Sequence, residues 1–306
     1  MNDLIIIGGG PAGAAAGVYA ARKQIKTVLV TEEFGGQSIV SPDIQNWIGT
    51  PHISGDELAK ALKSHVEEYA GDWVDIREGE RVKSVEKAGD GFEVKTGENT
   101  YQAKSVLVSS GARRRKLEVP GADKFEHKGV TYCASCDGPL FADMDTVVVG
   151  GGNAGFETAA QLLSYAKSVT LIHRSDEYKA DPVTVKKVLA NPKMRGITNS
   201  APTEIVGDGM VTAVKYKDNE TGEVHEISAS GVFVEIGSIP NTDFVGDIVD
   251  LDEYKRIKID PWSQETSEKG IWAAGDCSNV LYHQNNIATG DAVRALEDIY
   301  LWLNAR

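Results

Sequence analysis

The sequence predicts an α/β protein of two parallel-sheet domains, the second inserted into the first. Two observations carry this prediction. A short, wholly apolar run followed by a Gly-x-Gly-x-x-Gly turn and a small-residue helical stretch occurs twice in the 306 residues. Further strand-like runs ending in glycine follow each copy, as the closing strands of two sheets would.

In the first copy, Leu4-Ile5-Ile6-Ile7 is continuously apolar, as expected of a strand covered on both faces. The turn Gly8-Gly9-Gly10-Pro11-Ala12-Gly13 comes next, then a helix over 14–23 and a strand over 27–30. The second copy repeats the order: strand 146–149, turn Gly150-Gly151-Gly152-Asn153-Ala154-Gly155, helix 156–165, strand 168–172. The glycines stand where the chain must turn tightly and let a pyrophosphate approach a helix N-terminus. Two such units predict two Rossmann-like three-layer dinucleotide-binding domains.

Residues 106–111, 231–237 and 270–276 are expected as closing strands, 253–260 as a short strand, and 291–304 as the last helix. The predicted division is 1–113 for the first part of one domain, 114–242 for the insert, and 243–306 for the return. The run Arg113-Arg114-Arg115-Lys116 at the first crossing is expected as a solvated linker, with docking of an acidic partner as the alternative.

A net charge of −13 argues against nucleic acid or an anionic membrane as partner. Three cysteines are not a secreted disulfide framework. The start of the chain lacks a basic region and a signal-length apolar run, and no stretch reaches membrane-spanning length, so a cytoplasmic protein is expected.

The residue ending the second strand of each unit meets the adenosine ribose. In the first unit this is Glu32, with Glu33 as competitor; a carboxylate accepts ribose hydroxyls and repels a 2′-phosphate, which fits FAD or NAD. Gly8, Gly10, Pro11, Ala12 and Gly13 would face the pyrophosphate. In the second unit the position belongs to Arg174, flanked by His173, Ser175 and Lys179, a set suited to the 2′-phosphate of NADPH rather than NADH. Gly150, Gly152, Asn153 and Ala154 would hold its pyrophosphate. Arg174 and Lys179 as plain surface cations is the alternative.

Cys133-Ala134-Ser135-Cys136 is a Cys-x-x-Cys pair, able to close a disulfide across one turn. Half a zinc site is the alternative, although structural zinc usually takes four ligands and only Cys277 remains. Asp137 is placed either to exchange protons with a thiolate or to cap the next turn. Cys277 is expected to pack.

The chain resembles the low-molecular-weight thioredoxin reductase family along nearly its whole length. The shared segments are Gly35-Gly36-Gln37, Gln45-Asn46-Trp47, Cys133-Ala134-Ser135-Cys136-Asp137 and Gly275-Asp276. Tyr132, Gly138-Pro139-Leu140-Phe141 and Phe34-Gly35-Gly36-Gln37 are similar to the flavoprotein subunit of bacterial alkyl hydroperoxide reductase. The N-terminal redox domain of that subunit has no counterpart in this sequence, which implies an external disulfide protein. Three positions depart from the thioredoxin reductase pattern. His173-Arg174-Ser175 with Lys179 replaces His-Arg-Arg-x-x-x-Arg; Lys179-Ala180-Asp181 resembles the NADH-linked hydroperoxide reductase subunit; Ser109-Ser110-Gly111 replaces Ala-Thr-Gly.

The resemblance implies FAD in the first repeat plus the C-terminal segment. Asp276 would bond the ribityl chain, and Gln37, Asn46 and Gln284 the flavin, with Gly36, Gly111, Gly275 and Asn285 lining the site. NADPH, or NADH, would lie in the insert, with Gly237 beside it. Electrons would pass to the Cys133/Cys136 disulfide through Cys136, and Cys133 would attack the partner, a thioredoxin, a peroxiredoxin-type protein or a glutaredoxin-like carrier. A homodimer is implied, as is a hinge rotation of the insert about the crossings, since cysteines and nicotinamide share one domain. Rival readings are a ferredoxin–NADP reductase-like enzyme, against which the cysteine pair argues, and a non-catalytic flavin-binding protein.

Overall fold

The computed structural model describes residues 1–41 and 43–304. The chain divides into two compact units, Met1–Arg113 with Ile239–Arg306, and Arg114–Ser238. In chain order the elements begin with β1 (Asn2–Gly9), α1 (Pro11–Arg22), β2 (Thr27–Phe34), α2 (Gly55–Ala70), β3 (Val74–Glu78), β4 (Ser84–Ala88), β5 (Gly91–Lys95) and β6 (Thr100–Val108). After β7 (Ala112–Arg114) come β8 (Val130–Thr131), α3 (Ala134–Asp137), β9 (Asp145–Val149), α4 (Asn153–Leu162), β10 (Ser168–Ile172), α5 (Pro182–Leu189) and β11 (Met194–Ile197). Then follow β12 (Ser200–Asp208), β13 (Met210–Asp218), β14 (Val224–Ser228), β15 (Gly231–Val234), β16 (Ser238–Pro240), β17 (Ile271–Ala273) and α6 (Asn285–Asn304). At the crossings, β7 and β16 pair with each other.

In the first unit the sheet order is β3-β2-β1-β6-β5-β4, with β17 also on β6. β1, β2, β3, β6 and β17 run parallel, whereas β4 and β5 form an antiparallel hairpin against β6. The apolar run of β1 feeds two cores. Leu4 and Ile6 pack with α1 and α6, while Ile5 and Ile7 pack with β4–β6 and the 244–259 segment. The alternation follows from the two-residue period of a strand. α2 starts with a capping box: Ser54 Oγ accepts from Glu57 N–H, and Glu57 Oε2 accepts from Ser54 N–H at 3.0 Å.

The second unit repeats this plan. Its parallel sheet has the order β11-β10-β9-β15-β8. Val148 and Phe233 pack against α4, and Val147, Val149, Val232 and Val234 against the antiparallel β12–β14 layer.

The structure departs from the sequence expectations in several places. Both fingerprint helices begin three residues earlier than expected, because Gly10 and Gly152 are themselves the N-caps and leave Pro11 and Asn153 as first helical residues. No strand forms over 253–260. Asp252 Oδ1 accepts from the N–H groups of Tyr254 and Arg256, closing a turn with Lys255 at φ +64°, and only isolated bridges at Ile257 and Ile259 remain. The compact inserted unit is Arg114–Ser238, beside the expected 114–242, and Asn241 is held within the first unit: its Nδ2 donates to Ser110 O at 2.9 Å and its N–H to Gly111 O at 3.0 Å.

Candidate functional site

The first glycine turn is built by close backbone contact. Gly8 has φ +114°, and a Cβ there would lie 2.4 Å from Ser109 O; one on Gly13 would lie 1.7 Å from Gly8 O. α1 therefore packs directly on the turn, with Pro11 at its first position and no side-chain cap on its N-terminus. Its first N–H groups are left for a ligand, the arrangement a pyrophosphate requires. Gly10 stands opposite Gly36, where a Cβ on Gly36 would be 3.3 Å from Gly10 Cα.

Segments far apart in sequence meet beside this turn. A Cβ on Gly275 would touch Ala288 Cβ at 3.1 Å and Ala12 Cβ at 3.6 Å, so the Gly275-Asp276 turn lies against the starts of α1 and α6. Gln37 Nε2 donates to Asp276 Oδ2 at 3.3 Å, and Asn46 Nδ2 to Gln284 Oε1 at 3.1 Å. Asn285 Oδ1 accepts from Ser38 Oγ at 2.9 Å. The sequence reading missed Ser38, His283, whose Nδ1 is 3.3 Å from Asp276 Oδ1, and Asn286, whose Nδ2 donates to Asn46 O. Nothing local marks them; they are defined by contacts between segments distant in the chain. Gly111 has φ +65° with open space around it. Glu32 is exposed near the end of β2, 3.9 Å from Arg81 Nη1.

The second turn repeats the first. A Cβ on Gly150, at φ +128°, would lie 2.2 Å from Glu235 O, and one on Gly155 would lie 1.9 Å from Gly150 O. Gly152 caps α4 without a side-chain bond and has open space around it. Asn153 and Ala154 are exposed in the first turn of α4. Asn153 Oδ1 accepts from Asp181 N–H at 2.8 Å, and Asp181 Oδ1 in turn caps α5.

The expected ribose cluster splits. Arg174 and Lys179 are exposed and Ser175 is half-buried, but His173 is buried beneath the turn. Its Nε2 lies 3.0 Å from Glu177 O, and a Cβ on Gly151 would strike its ring at 2.5 Å. Burial pulls the His173 pKa below its ordinary 6.5, favouring the neutral ring. His173 thus shapes the loop that presents Arg174 and Lys179. Gly237, at φ +103°, follows β15 with Arg115 Cδ 3.7 Å from where its Cβ would be.

In the same unit, Cys133 and Cys136 form a disulfide at the ends of one helical turn, with Cα atoms 5.3 Å apart. Cys133 is the N-cap of α3, and its Sγ accepts from Cys136 N–H at 3.2 Å. Cys133 is half-buried. Asp137, next in the chain after Cys136, accepts a hydrogen bond from Thr131 Oγ1. Burial pushes its carboxyl above the ordinary 3.8, against the Thr131 bond and the His127 charge. Burial thus favours the protonated form of this carboxyl, which is next in sequence to Cys136. Cys277 is fully buried and donates to Val108 O and Ala274 O, and burial pushes its thiol up to about 11, so it packs.

Among the described residues, no group of His, Cys, Asp or Glu is arranged to hold a metal ion. No described helix is long and apolar enough to cross a membrane.

A family model described as pyridine nucleotide-disulphide oxidoreductase matches residues 2–294. The chain is 42% identical over 295 residues to the alkyl hydroperoxide reductase F subunit of Escherichia coli K12, covering 96% of this chain and 56% of that protein. It is 40% identical over 294 residues to an NADH dehydrogenase of Ferdinandcohnia aciditolerans, again covering 96% and 56%. The chain thus spans just over half the length of these curated relatives. A solved thioredoxin reductase from Streptococcus pyogenes MGAS5005 superposes with a TM-score of 0.92 at 36% identity, covering 100% of this chain and 99% of that one. These likenesses imply FAD and a pyridine nucleotide as the two dinucleotides. With its two glycine turns and its cysteine pair, the chain belongs to the pyridine nucleotide-disulphide oxidoreductase family.

Proposed function

We propose that the protein is a flavin-dependent NAD(P)H:disulfide oxidoreductase that reduces a thioredoxin-like protein, with NADPH as the preferred donor. The observation that carries this is a Cys-x-x-Cys disulfide in the same unit as a dinucleotide turn flanked by exposed Arg174 and Lys179. FAD would occupy the first turn. Gly8, Gly10 and Gly13 let its pyrophosphate onto α1, Glu32 takes its ribose, and Asp276, Gln37, Asn46 and Gln284 hold the ribityl chain and ring. The pyridine nucleotide would occupy the second turn, with its phosphates on Gly152, Asn153 and Ala154 and its ribose phosphate on Arg174, Ser175 and Lys179. When bound, the flavin relays a hydride's two electrons from the nicotinamide to the disulfide.

The chain's own chemistry is thiol–disulfide exchange. Cys133 as thiolate attacks the partner's disulfide, forming a Cys133–partner bond and releasing one partner thiolate. Cys136 thiolate then attacks Cys133 Sγ, restoring the Cys133–Cys136 bond and releasing the second partner thiol. Asp137 gives and recovers the proton that these sulfurs exchange. Because cysteines and second turn share a unit, that unit must turn about the crossings to present each in sequence. A homodimer in the cytoplasm completes the reading, testable by sedimentation and fractionation.

A second reading is an NADH-dependent reductase of a peroxiredoxin-type protein. It is favoured by the 42% identity to the hydroperoxide reductase relative and by Asp181, whose N–H donates to Asn153 Oδ1 at the second turn. Steady-state rates with NADPH and NADH against thioredoxin, glutaredoxin and peroxiredoxin proteins separate the two. Failure of every disulfide protein to accelerate nucleotide oxidation overturns both.

A further inference from the structure

The second dinucleotide turn contains an acidic side chain that the chemistry above leaves unused. Glu235 follows β15 directly, at the carboxyl end of the strand beside β9. Its carbonyl oxygen forms the floor of the turn, 2.2 Å from where a Gly150 Cβ would stand. Its side chain reaches α4, where Oε1 accepts from Thr158 Oγ1 at 2.8 Å, and Thr158 is buried. The carboxyl is thereby fixed between the turn and the helix whose N-terminus would receive the pyrophosphate. Ligands of open parallel sheets bind at the carboxyl ends of the strands, so Glu235 stands at the end of the sheet where a dinucleotide would bind.

Burial pushes the Glu235 carboxyl up to about 7 from its ordinary 4.5. The Thr158 hydrogen bond and the charge of Arg114, at the crossing, pull it down, and Glu157 on α4 pushes it up. Its charge therefore changes near neutral pH. An ionised carboxylate beside α4 partly cancels the positive field of the helix N-terminus and repels bound phosphates, and a neutral one does neither.

We propose that Glu235 is a proton-linked positioning residue of the pyridine-nucleotide site: neutral, it permits tight binding; ionised, it weakens it. Binding then takes up a proton, by the reciprocity of linked equilibria. The proposal rests on the assignment of the second turn to the pyridine nucleotide.

The test is calorimetric titration of the FAD-loaded protein with NAD+, whose phosphates do not titrate in this range, at pH 6.0 and 8.5. Wild type should bind about threefold or more tightly at the lower pH, the scale of one partly screened charge pair. Near pH 7 the binding enthalpy should vary with buffer ionisation enthalpy, reporting proton uptake in wild type without need of a variant. E235Q should bind at both pH values with the affinity wild type shows at pH 6.0. Equal wild-type affinities at the two pH values, or an undiminished pH dependence in E235Q, overturn the proposal while leaving the nucleotide assignment intact. Absence of binding by both NAD+ and NADP+ at either pH overturns that assignment and the proposal with it.

Discussion

Replacing Gly10 with alanine separates the flavin site from the fold that supports it. Gly10 caps α1 at φ −71° and ψ −173°, a conformation open to any residue, and an added Cβ meets only Gly36 Cα at 3.9 Å. Alanine is a poorer cap than glycine but restricts the unfolded chain, two effects of about 0.5–1 kcal/mol and opposite sign. The apoprotein's Tm should therefore move by no more than about 3 °C. In Gly13→Ala, by contrast, the Cβ would sit 1.7 Å from Gly8 O, and α1 must shift. Such overpacking costs about 1–3 kcal/mol and should lower the Tm by several degrees. If the first turn holds FAD, the Gly10→Ala methyl projects onto the pyrophosphate. A clash of about 1–3 kcal/mol weakens binding by roughly 5- to 150-fold. Flavin-fluorescence titration of apoprotein and thermal melts read the two quantities. Wild-type FAD affinity in Gly10→Ala, or a Tm loss equal to that of Gly13→Ala, would refute the reasoning.

Cys136→Ser should accumulate a mixed disulfide between Cys133 and thioredoxin, visible on non-reducing gels; a complex formed equally by Cys133→Ser contradicts the assignment of the attacking sulfur. Arg174→Ala should raise KM for NADPH by about ten- to a hundredfold, the value of one charge-assisted contact, and leave KM for NADH nearly unchanged. Parallel changes in both would place Arg174 outside the ribose site. Asp137 has a pKa raised by burial, so its ionisation opposes folding as pH rises from the unfolded value through the folded one. Asp137→Asn should thus melt no lower than wild type at pH 7.5 while disulfide reduction slows about tenfold or more; a lower Tm with full activity would exclude both roles.

Much of the fold was legible because backbone physics leaves signatures in sequence. The apolar runs of β1 and β9 must be covered on both faces, and both turns need glycine because neighbouring carbonyls leave no room for a Cβ. The antiparallel layers were not legible. β4, β5 and β14 are short, and β14 is largely exposed, so their pattern does not stand out from surface loops. The cysteine pair announces itself by spacing. The amides Gln37, Asn46 and Gln284 came only through family resemblance, since their partners are distant in sequence. His173 shows the limit of reading by position: it lies in the expected segment, yet Gly151 lacks a side chain and the ring fills that space. Glu235 gave no signal, because a glutamate after a strand ordinarily reads as surface; only Thr158 and the surrounding burial distinguish it.

The central claim is that the flavin and the Cys133/Cys136 disulfide form one electron-accepting chain fed by the second nucleotide site. Anaerobic titration of the FAD-loaded protein with NADPH counts those acceptors directly. Wild type should consume about two equivalents per chain before nucleotide absorbance accumulates, one for each two-electron centre, and the Cys133→Ser/Cys136→Ser variant about one. A single equivalent in wild type, or two in the double variant, would contradict it.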